Sequence, residues 1–252
     1  MEKNLLLRIE EAALNAWPAP RQVIYDGWLL RFAGGHSKRV NSVNPLYPTT
    51  MPLQEKIHTC EAIYASLGLP CLFRVNEFIA TPQLTQALQQ AGYTPFDPTY
   101  VLGRNLVMGE DLHADLTVLE MPAEDWFRMR DQFMRVPAPD RLAHEAIVRS
   151  IVPEMVLMGL FVGGKPVACG MGVAEGFLMG FFSIYTAATW RRKGYGRLMM
   201  GALSDWGIER GATYAYLQVE GDNHPALAMY ARLGFERIYA YEYYRKRVVS
   251  SE

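Results

Sequence analysis

The chain has 252 residues, half of them apolar, with 25 basic and 26 acidic side chains and a formal net charge of −1. That length carries one large domain or two of about 100–150 residues, each with enough apolar residues for a core. So even a charge balance gives no electrostatic argument for a nucleic-acid or anionic-membrane partner. Cys60, Cys71 and Cys169 are odd in number and lack Cys-x-x-Cys spacing, which argues against a disulfide framework and a zinc site and fits a reducing compartment. No apolar run reaches the roughly 18 residues of a membrane span. The short run Leu5–Leu7 is flanked by charges, unlike a secretory signal, so a cytoplasmic location is expected.

In chain order, Leu5–Trp17 has the spacing of an amphipathic helix. Gln22–Tyr25, Asp26-Gly27 and Trp28–Phe32 form a strong hairpin signal. Arg39–Leu46 reads as a third strand. Gln54–Leu67, after Pro52 and before Gly68, reads as a helix, Pro70–Asn76 as a strand, Gln83–Ala91 as a helix closed by Gly92, and Tyr100–Asn105 as a strand.

The second half reads β-α-α-β-β-β-α-β-α-β. Asp115–Met121 is a strand, and Ala123–Phe133 and Arg141–Ile151 are helices. Met155–Val162, Pro166–Ala174 and Phe177–Thr186 are strands joined by Gly163-Gly164 and Glu175-Gly176. Gly194–Arg210 is a long helix stopped by Gly211, Thr213–Glu220 a strand, Pro225–Leu233 a helix closed by Gly234, and Glu236–Arg245 the last strand. Leu84–Tyr93 parallels Ala226–Phe235, and Tyr47 falls opposite Tyr185 after a small gap. A divergent duplication accounts for this, with the boundary near Met108–Ala114 and the halves at 1–112 and 113–252.

The chemistry concentrates where the strand ending at Thr186 meets the helix opening at Gly194. Arg191, Arg192, Lys193 and Arg197 surround Gly194 and Gly196. A helix's first turn offers free N–H groups and the positive end of a dipole, and glycines let backbone approach a ligand, so the segment suits a pyrophosphate. It matches neither the Walker pattern nor Gly-x-Gly-x-x-Gly.

Arg191-Arg192-Lys193-Gly194-Tyr195-Gly196 resembles the [Q/R]-x-x-G-x-[G/A] loop of the GNAT acetyltransferase superfamily. The run from Asn223 to Phe235, with Ala226, Tyr230 and Gly234, resembles that superfamily's N-x-x-A-x-x-[LFM]-Y-x-x-x-G-F segment. Thr186-Ala187-Ala188 departs from the V-x-P segment usual before the loop. The likeness covers about Asp115–Arg247, and the first half shares its layout only.

The resemblance implies an α/β fold of two GNAT-like lobes, each a mostly antiparallel twisted sheet flanked by helices. It implies an N-acetyltransferase with acetyl-CoA as cosubstrate and no metal. The amides of Arg192–Arg197 would hold the pyrophosphate beside Arg191. Main-chain groups of Ile184, Tyr185 and Thr186 would pair with the pantetheine arm, and Asn223 would contact it. Tyr230 would protonate the departing thiolate. Glu220, at the end of its strand, is the first candidate for the base, ahead of Asp222 and His224, and Tyr185 is also a candidate for lining the acceptor pocket.

The first lobe has no such loop and is expected to pack against the second, leaving one coenzyme per chain. Its Arg39, Asn41, Ser42 and Asn44 read first as the polar face of a half-exposed strand, and second as an acceptor wall. The acceptor is a small-molecule or peptide amine, and monomer and homodimer both stay open. A non-catalytic acyl-CoA sensor is the alternative function.

Overall fold

The computed structural model describes residues 3–34, 37–109, 115–134 and 137–246. Its elements are α1 (Lys3–Asn15), β1 (Arg21–Tyr25), β2 (Trp28–Phe32), β3 (Val43–Pro45), α2 (Leu53–Ser66), β4 (Phe73–Asn76), α3 (Pro82–Gln90), β5 (Tyr93–Asn105), β6 (Leu116–Glu120), α4 (Ala123–Met134), α5 (Ala138–Arg149), β7 (Glu154–Val162), β8 (Lys165–Glu175), β9 (Leu178–Thr186), α6 (Tyr195–Glu209), β10 (Tyr214–Glu220), α7 (His224–Arg232) and β11 (Glu236–Lys246).

Local chemistry sets most boundaries. Asp26 and Gly27 take φ of 42° and 80°, the backbone of a two-residue hairpin, and β1 pairs antiparallel with β2 around them. The two helices that the sequence aligns start alike. Thr81 caps α3 by accepting from the Leu84 N–H at 3.1 Å, and Asn223 caps α7 by accepting from Ala226 at 3.2 Å.

Two strands depart from the expectation. The strand expected over Arg39–Leu46 is a 3-10 turn, Lys38–Val40, followed by the short β3. Asn41 replaces the ladder there, because its Oδ1 accepts from the Ala33 N–H and its Nδ2 donates to the Ser37 carbonyl, both at 2.8 Å. Asn41, Ser42 and Asn44 are buried, so they are not the polar face of a half-exposed strand. β5, in turn, begins at Tyr93 rather than Tyr100. Pro95 and Pro98 mask the pattern, and a bulge with Asp97 at φ 55° absorbs Pro98 between the pairs Tyr241↔Thr99 and Tyr243↔Phe96.

The strands form one eleven-stranded sheet in the order β1-β2-β3-β4-β11-β5-β10-β9-β8-β7-β6. The last strand of each half is inserted into the other. β5 lies between β10 and β11, and β11 lies between β4 and β5. β10 pairs antiparallel with β5 over its whole length, Tyr214↔Asn105 to Glu220↔Thr99. The two expected sheets are thereby fused. Of the expected boundary segment, residues 110–114 lie outside the described residues.

Alternation along the strands feeds opposite faces. Val101 and Tyr216 join a core under α1, α4 and α5 with Ile9, Trp126, Val148 and Met171. Leu102 and Leu217 join a second core under α6 and α7 with Met199, Leu203 and Phe235. A third core packs α2 and α3 on Leu30, Phe73 and Tyr93. Gly170 allows α6 to lie close on β8, since a Cβ there would come within 2.9 Å of Met199 Cγ and 3.0 Å of Leu203 Cδ1. That contact fixes where the first turn of α6 emerges.

Buried charges anchor the end of α1. Arg74 forms an ion pair with Glu10, and the Tyr239 hydroxyl donates to Glu10 Oε2 at 2.7 Å. Burial works to raise the Glu10 pKa, but the Arg74 charge and the hydrogen bonds win and hold it below the usual carboxylate range. Arg31 Nη2 donates to the carbonyls of Leu14, at 3.2 Å, and Trp17. No helix among the described residues is long and apolar enough to cross a membrane.

Candidate active site

β9 and β10 run parallel and stay paired from Leu178↔Tyr214 to Phe181↔Leu217, and beyond Phe181 they separate. A bulge in β9 accompanies the separation. Three steps on β9, Phe182 to Tyr185, oppose two on β8, and Ser183 takes φ 50°, rare for a residue with a side chain. The unpaired end of β9 therefore keeps main-chain groups available to a ligand laid along it.

A cavity of about 360 Å³ fills the opening. Ile184 and Tyr185 from β9, Glu220 from β10, and Asn223 and Tyr230 from the start and middle of α7 all line it. Five sequence-predicted residues that are distant in the chain are thus brought to one place. Tyr230 is half-buried and its hydroxyl makes no hydrogen bond to a described residue. Burial and the neighbouring Tyr185 push its pKa up to about 12, so it keeps its proton at neutral pH. Tyr185 is raised by burial, with the Arg130 charge acting the other way. Glu220 and Asn223 are exposed, and the Asn223 side chain is engaged in the α7 cap.

The loop residues do not line this cavity; they stand at its end. Arg191 Nε donates to the Thr186 carbonyl at 3.2 Å, tying the loop to β9. Arg192 and Gly194 take φ of 65° and 86°, and Gly194 is the N-cap of α6. Alternating left-handed residues ahead of a helix turn successive N–H groups inward, the geometry of an anion nest. No atom lies within 4 Å of a Cβ built on Gly194, so the cradle is open. A Cβ on Gly196 would come 3.3 Å from Met229 Sδ and 3.6 Å from Thr186 Oγ1, so loop, strand end and α7 converge there. Arg191, Arg192, Lys193 and Arg197 are exposed around it, Tyr195 is half-buried against Trp190, and Lys193 Nζ lies 4.8 Å from the Trp190 ring centre. A pyrophosphate fits this chemistry. Among the described residues, no group of three His, Cys, Asp or Glu side chains is placed to hold a metal.

Apart from Arg39, already a second candidate for an acceptor wall, sequence reasoning missed the remaining wall. Trp17, Lys38, Arg39, Asp97 and Thr99 come from the first half, and Tyr241 and Tyr243 from the exchanged strand β11. Of the four polar residues singled out between 39 and 44, only Arg39 reaches the cavity. Tyr47, aligned with Tyr185, is exposed and donates to Glu11 at 2.9 Å. His144, on α5, is buried against Trp17, Trp126 and Phe127, and its Nε2 lies 3.3 Å from Ser183 Oγ. Burial, reinforced by the Arg130 charge, lowers its pKa to about 3. Its helical spacing with Ile147 and Val148 was the one available signal.

A splayed parallel pair over a bulge, followed by a helix with a glycine-rich head, is a fold shared with solved GNAT proteins, and the matching family and relatives are named acetyltransferases. The chain belongs to the family described as "Probable histone acetyltransferase Rv0428c C-terminal", which matches residues 6–244. It is 29% identical to "Uncharacterized N-acetyltransferase YobR" of Bacillus subtilis (strain 168), over 95% of this chain and 98% of that one. It is 27% identical to "Probable histone acetyltransferase Rv0428c" of Mycobacterium tuberculosis (strain H37Rv), over 90% of this chain and 69% of that one. Among solved structures, a GCN5-related N-acetyltransferase from Kribbella flavida superposes with a TM-score of 0.71 at 19% identity, covering 95% of each chain. A tandem GNAT protein from the clavulanic acid biosynthesis pathway gives 0.66 at 11% identity, covering 96% of this chain and 88% of that one.

Proposed function

We propose that this chain transfers the acetyl group of acetyl-CoA to a primary amine by direct attack, within residues 113–252, while residues 1–112 form a lobe that holds no coenzyme. The observation that carries the reading is the β9–β10 opening, where Ile184, Tyr185, Glu220, Asn223 and Tyr230 meet beside the Gly194 nest.

Bound acetyl-CoA supplies the thioester whose acetyl group moves. The amides of residues 192–197 hold the pyrophosphate, and the main chain of Ile184–Thr186 pairs with the pantetheine arm like a strand edge. An N–H on the free end of β9 stabilises the negative charge gathering on the carbonyl oxygen. As the C–N bond forms, Glu220 takes the proton from the amine, directly or through water. As the C–S bond breaks, Tyr230 gives its proton to the departing sulfur. With its pKa raised, Tyr230 carries that proton at neutral pH.

Direct attack is supported by how poor the three cysteine thiols and the Ser183 hydroxyl are as nucleophiles. Cys60, Cys71 and Cys169 are all raised to about 12 by burial, so none is a thiolate at neutral pH. Ser183 has His144 beside it, but an imidazole that protonates near pH 3 is too weak a base to activate a hydroxyl. His144 Nδ1 also has no orienting partner among the described residues.

The test is a screen of acetyl-CoA turnover over a broad amine library, with products identified by mass spectrometry. An N-acetylated product supports the reading. Tight coenzyme binding with no turnover on any amine would leave an acyl-CoA sensor in its place.

A further inference from the structure

The wall that the first half supplies carries a cation with no counter-charge among the described residues. Arg39 sits on the 3-10 turn Lys38–Val40 and lines the cavity with its guanidinium 5.1 Å from the Trp17 ring centre. Its Nε is buried with no hydrogen-bond partner, and no carboxylate among the described residues pairs with it. Arg31 and Arg74 also leave a buried Nε without a partner, but their terminal nitrogens are engaged, as is the Lys38 ammonium. Lys38 pairs with Asp97, Arg74 with Glu10, and Arg31 donates to the carbonyls of Leu14, Trp17 and Arg39. A guanidinium with a buried, unused donor is costly to keep unless something else pairs with it. The fold also holds it in place. Arg31 binds its carbonyl at 3.2 Å, and Trp17 is fixed by stacking on Phe182 and edge-on to His144.

The carboxylates lining the cavity are Asp97, taken by Lys38, and Glu220, at the end of β10. An acceptor ammonium has Glu220 to face, and Arg39 has no carboxylate among the described residues.

We propose that the acceptor carries a carboxylate and that Arg39 grips it, so that the substrate is a free amino acid or a similarly small amine bearing an acid group. The inference rests on the transferase reading above. A planar five-donor fork matches a carboxylate in two parallel hydrogen bonds. The about 360 Å³ of space suits the thioester end of the cosubstrate with an acceptor of amino-acid size. A polyamine or a lysine-rich peptide would instead set a second positive charge beside Arg39. Arg39 shares the cavity lining with Tyr185 of β9 and with Tyr241 and Tyr243 of β11.

Acetyl-CoA-dependent thiol release is measured for the common L-amino acids, each beside the amine that remains when its carboxyl group is removed. For its best substrate the wild-type chain favours the acid by roughly 10–100-fold in kcat/KM. Arg39→Ala loses most of that ratio, chiefly through KM. Arg39→Lys keeps the charge without the fork and retains an intermediate ratio. Thermal melts establish that both variants fold. Preference for the amine lacking the acid group, or an unchanged ratio in both folded variants, overturns the proposal. If no pair turns over, calorimetry of the CoA-bound chain with the same pairs decides. Tighter binding of the acid, lost in Arg39→Ala, supports the proposal, and equal or absent binding overturns it. Failure of acetyl-CoA itself to bind is a separate result, which removes the transferase reading along with it.

Discussion

His144 Nε2 lies 3.3 Å from Ser183 Oγ, which fastens α5 to the bulge where β9 leaves β10. The imidazole is stacked on Trp126 and flanked by Trp17 and Phe127, and its pKa falls from 6.5 to about 3. A histidine whose folded pKa is depressed binds fewer protons when folded than when unfolded. Its site is therefore fully stable above pH 6.5, and stability is lost as the pH falls from 6.5 toward 3. At pH 5 this amounts to about 2 kcal/mol relative to neutral pH. His144→Phe, which keeps an aromatic ring in the cluster, should lack this component. Urea unfolding at pH 7.5 and pH 5 measures it, and equal losses in both proteins would contradict a buried neutral imidazole.

Tyr230→Phe keeps the ring and its edge contact with Phe235 at 5.9 Å while removing the hydroxyl. The catalytic rate constant should fall on the order of 10²–10⁴-fold with coenzyme affinity little changed, because the lost proton transfer belongs to the transition state. Since the hydroxyl makes no hydrogen bond to a described residue, the melting temperature should barely move. Near-normal turnover in the folded variant would remove Tyr230 from the mechanism.

Gly194 and Gly196 fail for different reasons when replaced. Gly194→Ala meets no neighbouring atom, but its φ of 86° costs a side-chain-bearing residue about 1–2 kcal/mol. Gly194→Asp adds negative charge at the nest, and coenzyme affinity should drop well beyond what the alanine variant shows. Gly196→Asp crowds Met229 and Thr186 as well. Calorimetric titration reads both effects and the stoichiometry, expected to be one coenzyme per chain. Two equivalent sites would show that the first half binds coenzyme too.

Glu10→Gln leaves Arg74 buried without its counter-charge, although Arg74 keeps its stack on Tyr241 at 3.6 Å. The expected loss of stability is about 3–5 kcal/mol, read by chemical denaturation. Because Glu10 also accepts from Tyr239 on β11, the loss should loosen α1 from the exchanged strand. A loss under about 1 kcal/mol would mean that the pair contributes little.

The order of elements and five of the residues that line the β9–β10 cavity were legible in the sequence because they depend on local signals. Turn glycines, caps and strand alternation marked the elements to within a few residues, except at 39–46 and 93–99. At the first, Asn41 hydrogen-bonds in place of a strand, and at the second, two prolines hide in a bulge. Ile184, Tyr185, Glu220, Asn223 and Tyr230 were found because they sit in or beside motifs whose chemistry is carried by neighbouring residues. The exchange of β5 and β11 was not legible, since strand order depends on which edges meet and no residue encodes that locally. With it went the far wall of the cavity. Trp17 and His144 are an ordinary helix end and apolar-face histidine in the sequence, and Arg39 reads there first as the polar face of a strand. Only long-range packing, with α1 laid over the second half's strands and α5 pressed on the bulge, turns them toward one space.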